Sequence, residues 1–158
     1  MHRIFIMHYF KPFLAALFLT SGMTQAPAAS QFEQLRDRLL AGHPTMSIVD
    51  LNQCKQQAGK TTGAAKPIGG LLIRNFMITP APNPKIAYAN QHLTVMADGL
   101  PILELIQYRI MPDDRAIITA HRLSPENYKP LSDPRVFECP LGTGLHFEPE
   151  TGVIPMIK

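Results

Sequence analysis

The chain has 158 residues, with 15 Lys and Arg against 12 Asp and Glu. This length supports one domain with a real hydrophobic core, and it excludes two. The basic residues form no run, which excludes the clustered basic face typical of nucleic-acid-binding proteins. After residue 28 the apolar runs are short and interrupted, so no integral membrane segment is expected there.

The N-terminus has the three-part pattern of a secretory signal. Arg3 and Lys11 supply a basic start without acids, residues 13–19 are a short apolar block, and residues 26–30 are mostly small. The pattern predicts a cleaved signal peptide over residues 1–28, because the apolar block is too short to span a bilayer. A buried core helix is the alternative. Without the signal the chain has 13 basic and 12 acidic residues, and we expect a periplasmic or secreted protein.

Residues 31–41 are predicted to form an amphipathic helix. Phe32, Leu35 and Leu39 recur at three- and four-residue steps, with polar residues between them. Gly42 is a natural stop for this helix.

Ser30 and Glu33 have the spacing of a capping box at the start of this helix. Signal cleavage after Ala28 would keep Ser30 in the mature protein, whereas cleavage after Ser30 would remove the cap. The cap therefore favours Ala28 as the last residue of the signal and a single domain over residues 29–158.

The rest of the chain has the short apolar runs of β-strands, separated by turn residues and prolines. Strands are predicted at 45–51, 69–79, 85–95, 101–111, 115–123, 135–139 and either 143–148 or 152–157. Residues 52–68 and 124–134 are predicted to be loops. The connections are too short for parallel crossovers, so we expect antiparallel neighbours. The predicted fold class is mainly β, an antiparallel sheet or partly closed barrel with one N-terminal helix (α+β).

Residues 101–111 are expected to form a central strand, because both of its faces are largely apolar. The N-terminal helix is one candidate cover, and the far wall of a curled sheet or barrel is the other. Asp98-Gly99 predicts a two-residue hairpin turn before this strand. That turn would place His92 directly opposite Leu105.

Polar residues interrupt the apolar pattern of this strand at Glu104, Tyr108 and Arg109. A half-buried arginine needs a partner, which Glu104 or a ligand anion could supply. A structural ion pair or an exposed edge is the alternative. His92, Tyr108 and Arg109 are the predicted ligand contacts.

Local catalytic and metal-binding patterns are missing from the sequence. The histidines that follow the signal show no metal-ligand spacing, although distant strands could bring three of them together: His43, His92, His121 and His146. No serine has the spacing of a nucleophile elbow. We therefore predict no catalytic residues, no metal site and no cofactor.

Cys54 and Cys139 both follow the predicted signal. An exported protein with an even number of cysteines is expected to pair them in a disulfide. Two buried free thiols are the alternative.

Several segments, taken in order, resemble the VirK family of bacterial proteins. They are Val49–Cys54, Gly69–Ile78, Ile86–Val95, Gly99–Ile102 followed by Gln107–Ile110, and Cys139. The insert at 55–67 and the longer tail after Cys139 depart from the family. The resemblance implies a small exported protein of Gram-negative bacteria, associated with virulence or host interaction. It also implies that Cys54 pairs with Cys139, and it brings no catalytic residues.

Three functions follow as expectations. The first is a non-enzymatic exported factor that binds an unidentified protein or small-molecule partner. The second is a carrier of a small apolar ligand inside a barrel, which a cavity lined by apolar side chains would favour. The third is a hydrolase, which convergent His, Asp or Glu groups in a cleft would favour.

Overall fold

The computed structural model describes residues 28–59 and 66–150. The predicted signal and the alternative last strand at 152–157 lie outside these residues. Within them, the helix α1 (Gln31–Leu40) precedes nine strands: β1 (Thr45–Asp50), β2 (Lys55–Ala58), β3 (Ile68–Leu72), β4 (Met77–Thr79), β5 (Lys85–Val95), β6 (Pro101–Ile110), β7 (Arg115–Leu123), β8 (Arg135–Pro140) and β9 (Leu145–Pro149). No helix in this part is long and apolar enough to cross a membrane.

The strands form two antiparallel sheets. The small sheet has the order β3-β1-β9, and the large sheet has the order β2-β8-β7-β6-β5-β4. The predicted fold class, mainly β with one N-terminal helix, is confirmed. The edge strands β2 and β4 do not pair with each other in the described residues, so the large sheet is not a closed barrel.

The face of the large sheet that points toward the small sheet, called the inner face, has side chains in four rows across the strands. Row one is Ile86, Ile110, Ala116 and Cys139; row two is Tyr88, Tyr108, Ile118 and Phe137; row three is Asn90, Ile106, Ala120 and Arg135; row four is His92, Glu104 and Arg122. Rows one and two form the closed end of this face. Rows three and four form the open end.

The closed end holds the hydrophobic core. All four side chains of row one are 0% exposed. They join one buried cluster with Phe32, Leu35 and Leu39 of α1, Val49 of β1 and Leu145 of β9. A hydrogen bond of 2.7 Å between the Ser47 and Tyr88 hydroxyls links the two sheets at row two. Helix and small sheet therefore cover this end together.

The start of α1 has the predicted capping box. The Glu33 amide donates to Ser30 Oγ at 3.2 Å, and the Ser30 amide donates to Glu33 Oε2 at 3.1 Å. The sequence did not predict a second cap. The Asp114 carboxylate, in the turn between β6 and β7, accepts from the Phe32 amide at 2.9 Å and from the Gln31 amide. This carboxylate ties the helix start to the large sheet, and a negative charge there also suits the helix dipole.

The hairpin between β5 and β6 differs from the prediction by one residue. Its loop has three residues, 97–99, and the Met96 amide donates to the Leu100 carbonyl at 2.9 Å. Gly99 takes the left-handed conformation that closes this loop type, with φ 84°. The prediction that His92 faces Leu105 is therefore wrong, because His92 faces Glu104.

The central position of β6, between β5 and β7, is as predicted. The expected cover on both of its faces is complete on neither face. The inner face holds the buried Ile102, Tyr108 and Ile110, and on the outer face Leu103 and Leu105 are half-buried. The outer face is covered most closely near Arg109, whose Nε is buried.

Two other segments differ from their predictions. The predicted loop 52–68 contains β2, which pairs with β8, while residues 60–65 of it lie outside the described part. The predicted strand 69–79 is two strands in different sheets. The chain crosses between them at the buried Ile73, whose amide donates to the Thr45 carbonyl at 2.9 Å.

The disulfide and the last strand agree with the predictions. Cys54 and Cys139 are bonded, and the bond joins the end of a short 3-10 helix, Leu51–Gln53, to β8. The bond excludes the alternative of two buried free thiols. β9 confirms the first of the two alternatives for the last strand, at 143–148.

Candidate ligand-binding cleft

A cleft of about 350 Å³ lies at the open end, between the large sheet and the small one. Its floor is formed by side chains of rows two to four of the inner face. Its opposite wall is formed by Val49, Leu51, Pro67 and the β3 residues Gly69, Gly70 and Leu71. A volume of this size falls within the range of small-molecule sites.

The glycines of β3 explain why the two sheets leave space here. A Cβ atom at Gly69 would meet no other atom within 4 Å, so the position opens into unfilled space. A Cβ atom at Gly70 would lie 3.1 Å from the Ser47 carbonyl oxygen, so a side chain there would push against the backbone of β1. Ala120 on the opposite floor is also small. Together these residues leave the middle of row three uncovered.

The walls of the cleft are mainly apolar. Ile106, Ile118 and Phe137 lie on the floor, and Leu51 and Leu71 lie across from them. Phe137 is buried, and the Lys66 Nζ lies 5.8 Å from the centre of its ring. The cleft can therefore hold an apolar group of a ligand.

Tyr108 supplies a polar atom that the protein itself leaves unpaired. The residue is 4% exposed, and its ring stacks on that of Tyr88 with 4.8 Å between the centroids. The Tyr88 hydroxyl bonds to Ser47, but the Tyr108 hydroxyl has no hydrogen-bond partner among the described residues. Burial raises the pKa of Tyr108 to about 12, so the hydroxyl is a donor at neutral pH.

Row four forms one end of the cleft as a line of three charged or polar groups. Glu104 Oε1 accepts from Arg122 Nε at 2.9 Å, and Glu104 Oε2 lies 3.1 Å from His92 Nε2. The Glu104 side chain is 17% exposed, less than those of its two partners. A half-buried carboxylate needs such partners, so Arg122 balances the charge of Glu104.

Glu104 is not the partner of Arg109, which leaves aside one of the two partners considered for this arginine. The two positions are five residues apart in one strand, so their side chains point to opposite faces of the sheet. Arg109 lies opposite Ala87 and Ile117, and its Nε is buried without a hydrogen-bond partner in the described part of the chain. The structure therefore brings His92 and Tyr108 together at the cleft, and it places Arg109 on the outer face.

Arg135 and Asn90 occupy the two ends of row three, and both line the cleft. Neither side chain has a hydrogen bond or ion pair with another described residue. Sequence reasoning missed both of them. Arg135 is the first residue of β8 and directly follows a proline-rich loop. The alternation of apolar and polar residues there is too short to show which face of the sheet Arg135 occupies.

The remaining histidines do not meet at the cleft. His121 lies on the outer face opposite Leu105, and His146 lies in β9, 3.6 Å from Glu148. In residues 28–59 and 66–150, no group of three or more His, Cys, Asp and Glu side chains is placed to hold a metal ion. His92 and Glu104 are two such groups, and zinc sites in proteins need at least three.

Comparisons with known proteins agree with the resemblance seen in the ordered segments. The uncharacterized protein y4wH of Sinorhizobium fredii is 34% identical over 143 residues, which cover 87% of this chain and 97% of that protein. An uncharacterized protein in the pinF2 3'region of Rhizobium radiobacter is 32% identical over 109 residues, 69% of this chain and 73% of that protein. Both similarities extend over most of the domain.

The fold is also similar to a solved structure. The crystal structure of lpg1832, a VirK family protein from Legionella pneumophila, matches with a TM-score of 0.64 at 17% identity, over 74% of this chain and 94% of that one. The family described as VirK protein matches residues 28–128, which include His92, Glu104 and Tyr108 and end before Arg135. With the segments, the relatives and the fold in agreement, this chain belongs to the VirK family.

Proposed function

We propose that this chain is an exported, non-enzymatic binding protein that takes a small ligand with an apolar body into the cleft between its sheets. The observation that carries the proposal is the buried Tyr108, whose hydroxyl lines an apolar cleft and has no partner among the described residues. The hydroxyl oxygen is not sealed from solvent, so a ligand acceptor that enters the cleft can take its hydrogen bond.

The surroundings of Tyr108 support a ligand rather than further protein packing. Ile106, Ile118 and Phe137 provide apolar contact on the floor, and Gly69 leaves the space above them empty. Sites for small molecules combine such walls with a few polar groups that fix the orientation of the ligand. An association with virulence, which the family resemblance implies, would fit a ligand encountered outside the cytoplasm.

A cleft-filling variant tests the proposal. Ala120→Leu adds three carbon atoms to the floor of the cleft, and Ala89→Leu adds the same atoms to an exposed position on the outer face of β5. We expect the neutral fluorescent probe N-phenylnaphthylamine to bind the wild-type protein and Ala89→Leu alike, and to bind Ala120→Leu much more weakly. Equal binding to both variants, or no binding to the wild type, would contradict the proposed site.

Export needs a separate test. The predicted signal over residues 1–28 and the formation of the Cys54–Cys139 bond both support an oxidising compartment. N-terminal sequencing of the natural protein should begin near Ala29 or Gln31. Protein in the cytoplasmic fraction that still begins at Met1 and keeps residues 1–28 would contradict export.

A hydrolase is the second candidate, and the contact between His92 and Glu104 favours it. A carboxylate that holds a histidine is a common arrangement for a general base. The side chains that line the cleft include no serine, threonine or cysteine, so such an enzyme would have to activate water. Hydrolysis of nitrophenyl esters that is lost in His92→Ala would support this candidate over the binding protein.

A further inference from the structure

We infer that the cleft selects amphipathic organic anions, whose charged group binds Arg135 and whose apolar body lies across row three. This inference rests on the proposed function, since it names the ligand class of the same cleft. The charged side chains that line the cleft are not all balanced by partners in the described part of the protein. Glu104 is balanced by Arg122, whereas Arg135 has no hydrogen bond or ion pair within the described residues.

No acidic side chain elsewhere in the chain is available to Arg135. All 12 Asp and Glu lie in the described residues, and residues 1–27, 60–65 and 151–158 contain none. The nearby cation Lys66 donates to the Cys54 carbonyl at 3.0 Å and is partly engaged. Among the described residues that line the cleft, Arg135 is therefore the cation that an incoming anion can pair with. Guanidinium groups bind carboxylate, sulfonate and phosphate oxygens well.

The positions of the row-three residues set the size of the ligand. Asn90, Ile106, Ala120 and Arg135 lie on four adjacent strands. Strands are about 4.8 Å apart, so the two polar ends of the row are separated by roughly 14 Å along the backbone. A ligand with one anionic group at Arg135 has room for an apolar body of one or two rings over Ile106 and Ala120.

The opposite end of the row can bind a second, uncharged group. The Asn90 amide and the Tyr108 hydroxyl both line the cleft, and neither has a partner in the described part of the protein. Tyr108 donates a hydrogen bond, and Asn90 both donates and accepts. The ligand class is thus a small organic anion with an apolar middle and a neutral hydrogen-bonding group at its far end.

A pair of probes with one aromatic skeleton separates the charge from the apolar body. Anilinonaphthalene sulfonate carries an anion, and N-phenylnaphthylamine is its neutral counterpart. In Arg135→Gln we expect the dissociation constant of the sulfonate to rise roughly tenfold or more, as for the loss of a charge-assisted hydrogen bond. The dissociation constant of the neutral probe should change less than about twofold, because the apolar contacts remain.

Two further variants control for charge and folding. Arg135→Lys keeps the cation and should retain most of the sulfonate affinity. Arg36→Gln removes an exposed arginine of α1, away from the cleft, and should leave both probes unaffected. Near-ultraviolet circular dichroism of each variant checks that the sulfonate reports the folded cleft and not a loosened core. Added salt should weaken the sulfonate and spare the neutral probe.

The outcomes separate the ligand class from the proposed function. Binding of both probes with no effect of Arg135→Gln on the sulfonate would overturn the anion preference and leave the binding cleft, with an apolar carrier then favoured. Equal weakening of both probes would also overturn it, since Arg135 would then only shape the cleft. Binding of the neutral probe alone to the folded wild type would likewise overturn the anion preference. Failure of the neutral probe to bind the folded wild type would overturn the proposed function itself.

Discussion

The closed and open ends of the inner face are built from the same four strands and follow the same alternation, yet only one of them is packed. At the closed end, Ile86 and Ile110 are fully buried under α1 and the small sheet. At the open end, Ile106 and Asn90 are half-buried, and β3 presents glycines across from them. Alternation therefore determines which side chains point inward, and the opposite layer determines which of these are covered.

The largest expected effect comes from the disulfide, which anchors β8 at the closed end. The chain-entropy model gives about 4–5 kcal/mol for a loop of this length as an upper value for the stability lost in Cys54→Ser with Cys139→Ser. Urea unfolding at neutral pH measures the loss. We expect the native fraction of the double variant to keep N-phenylnaphthylamine binding, because the bond lies at row one and the cleft begins at row two. An unchanged unfolding midpoint would contradict the structural role of the bond.

A pair of truncations at the two ends tests the comparison most directly. Ile110→Ala leaves a cavity in a packed core and should cost about 2–5 kcal/mol of unfolding free energy. Ile106→Ala removes the same atoms from a side chain that already borders open space, so we expect less than half of that loss. Equal losses in urea unfolding would show that the open end is packed as tightly as the closed end.

The sequence was sufficient for the elements that depend on local patterns. The period of Phe32, Leu35 and Leu39 predicted α1, and Ser30 with Glu33 predicted its cap. Alternation predicted β5 to β8 within one or two residues. It did not show that His92 and Tyr108 share a face, because the predicted two-residue turn puts His92 on the face of Leu105, and Tyr108 lies on the opposite face.

The features that the sequence did not predict depend on non-local pairing. Asp98-Gly99 marks a turn, but the loop length is set by the left-handed Gly99 at its third position, which shifted the partner of His92 from Leu105 to Glu104. The strand β2 lacks any alternation, and its pairing with β8 is held beside the disulfide. The cleft itself is formed where two sheets diverge, and no local pattern encodes that divergence.

Alkaline pH is expected to reduce stability through the stacked tyrosines at the border of the two ends. Burial raises the pKa of both Tyr88 and Tyr108, the latter to about 12. Above the unfolded-state pKa of about 10, the unfolded chain loses phenol protons that the folded state retains. Stability is therefore full below pH 10 and falls by up to about 1.4 kcal/mol per pH unit for each tyrosine.

Urea unfolding between pH 9 and 12 measures how steeply the unfolding free energy falls with pH. Tyr108→Phe should make this fall less steep by the contribution of one tyrosine. Lysines also lose protons in this range, so the difference between variant and wild type is the relevant quantity. A slope that Tyr108→Phe leaves unchanged would show that the phenol ionises equally in the folded and unfolded states.

The smallest expected effect distinguishes the two hydroxyls of the stacked pair. Tyr88→Phe breaks the hydrogen bond to the buried Ser47 and leaves that hydroxyl unpaired, so we expect a loss of about 1–2 kcal/mol at neutral pH. Tyr108→Phe removes a hydroxyl with no partner in the described residues, and its stability should change by less than about 0.5 kcal/mol. For ligand affinity we expect the reverse order. A ligand or probe that accepts a hydrogen bond in the cleft should bind Tyr108→Phe more weakly than the wild type and should bind Tyr88→Phe with unchanged affinity. Urea unfolding and probe titration of the same two samples measure both quantities. A large stability loss in Tyr108→Phe would mean that its hydroxyl already has a partner within the protein. Row two would then belong entirely to the packed, closed end of the inner face.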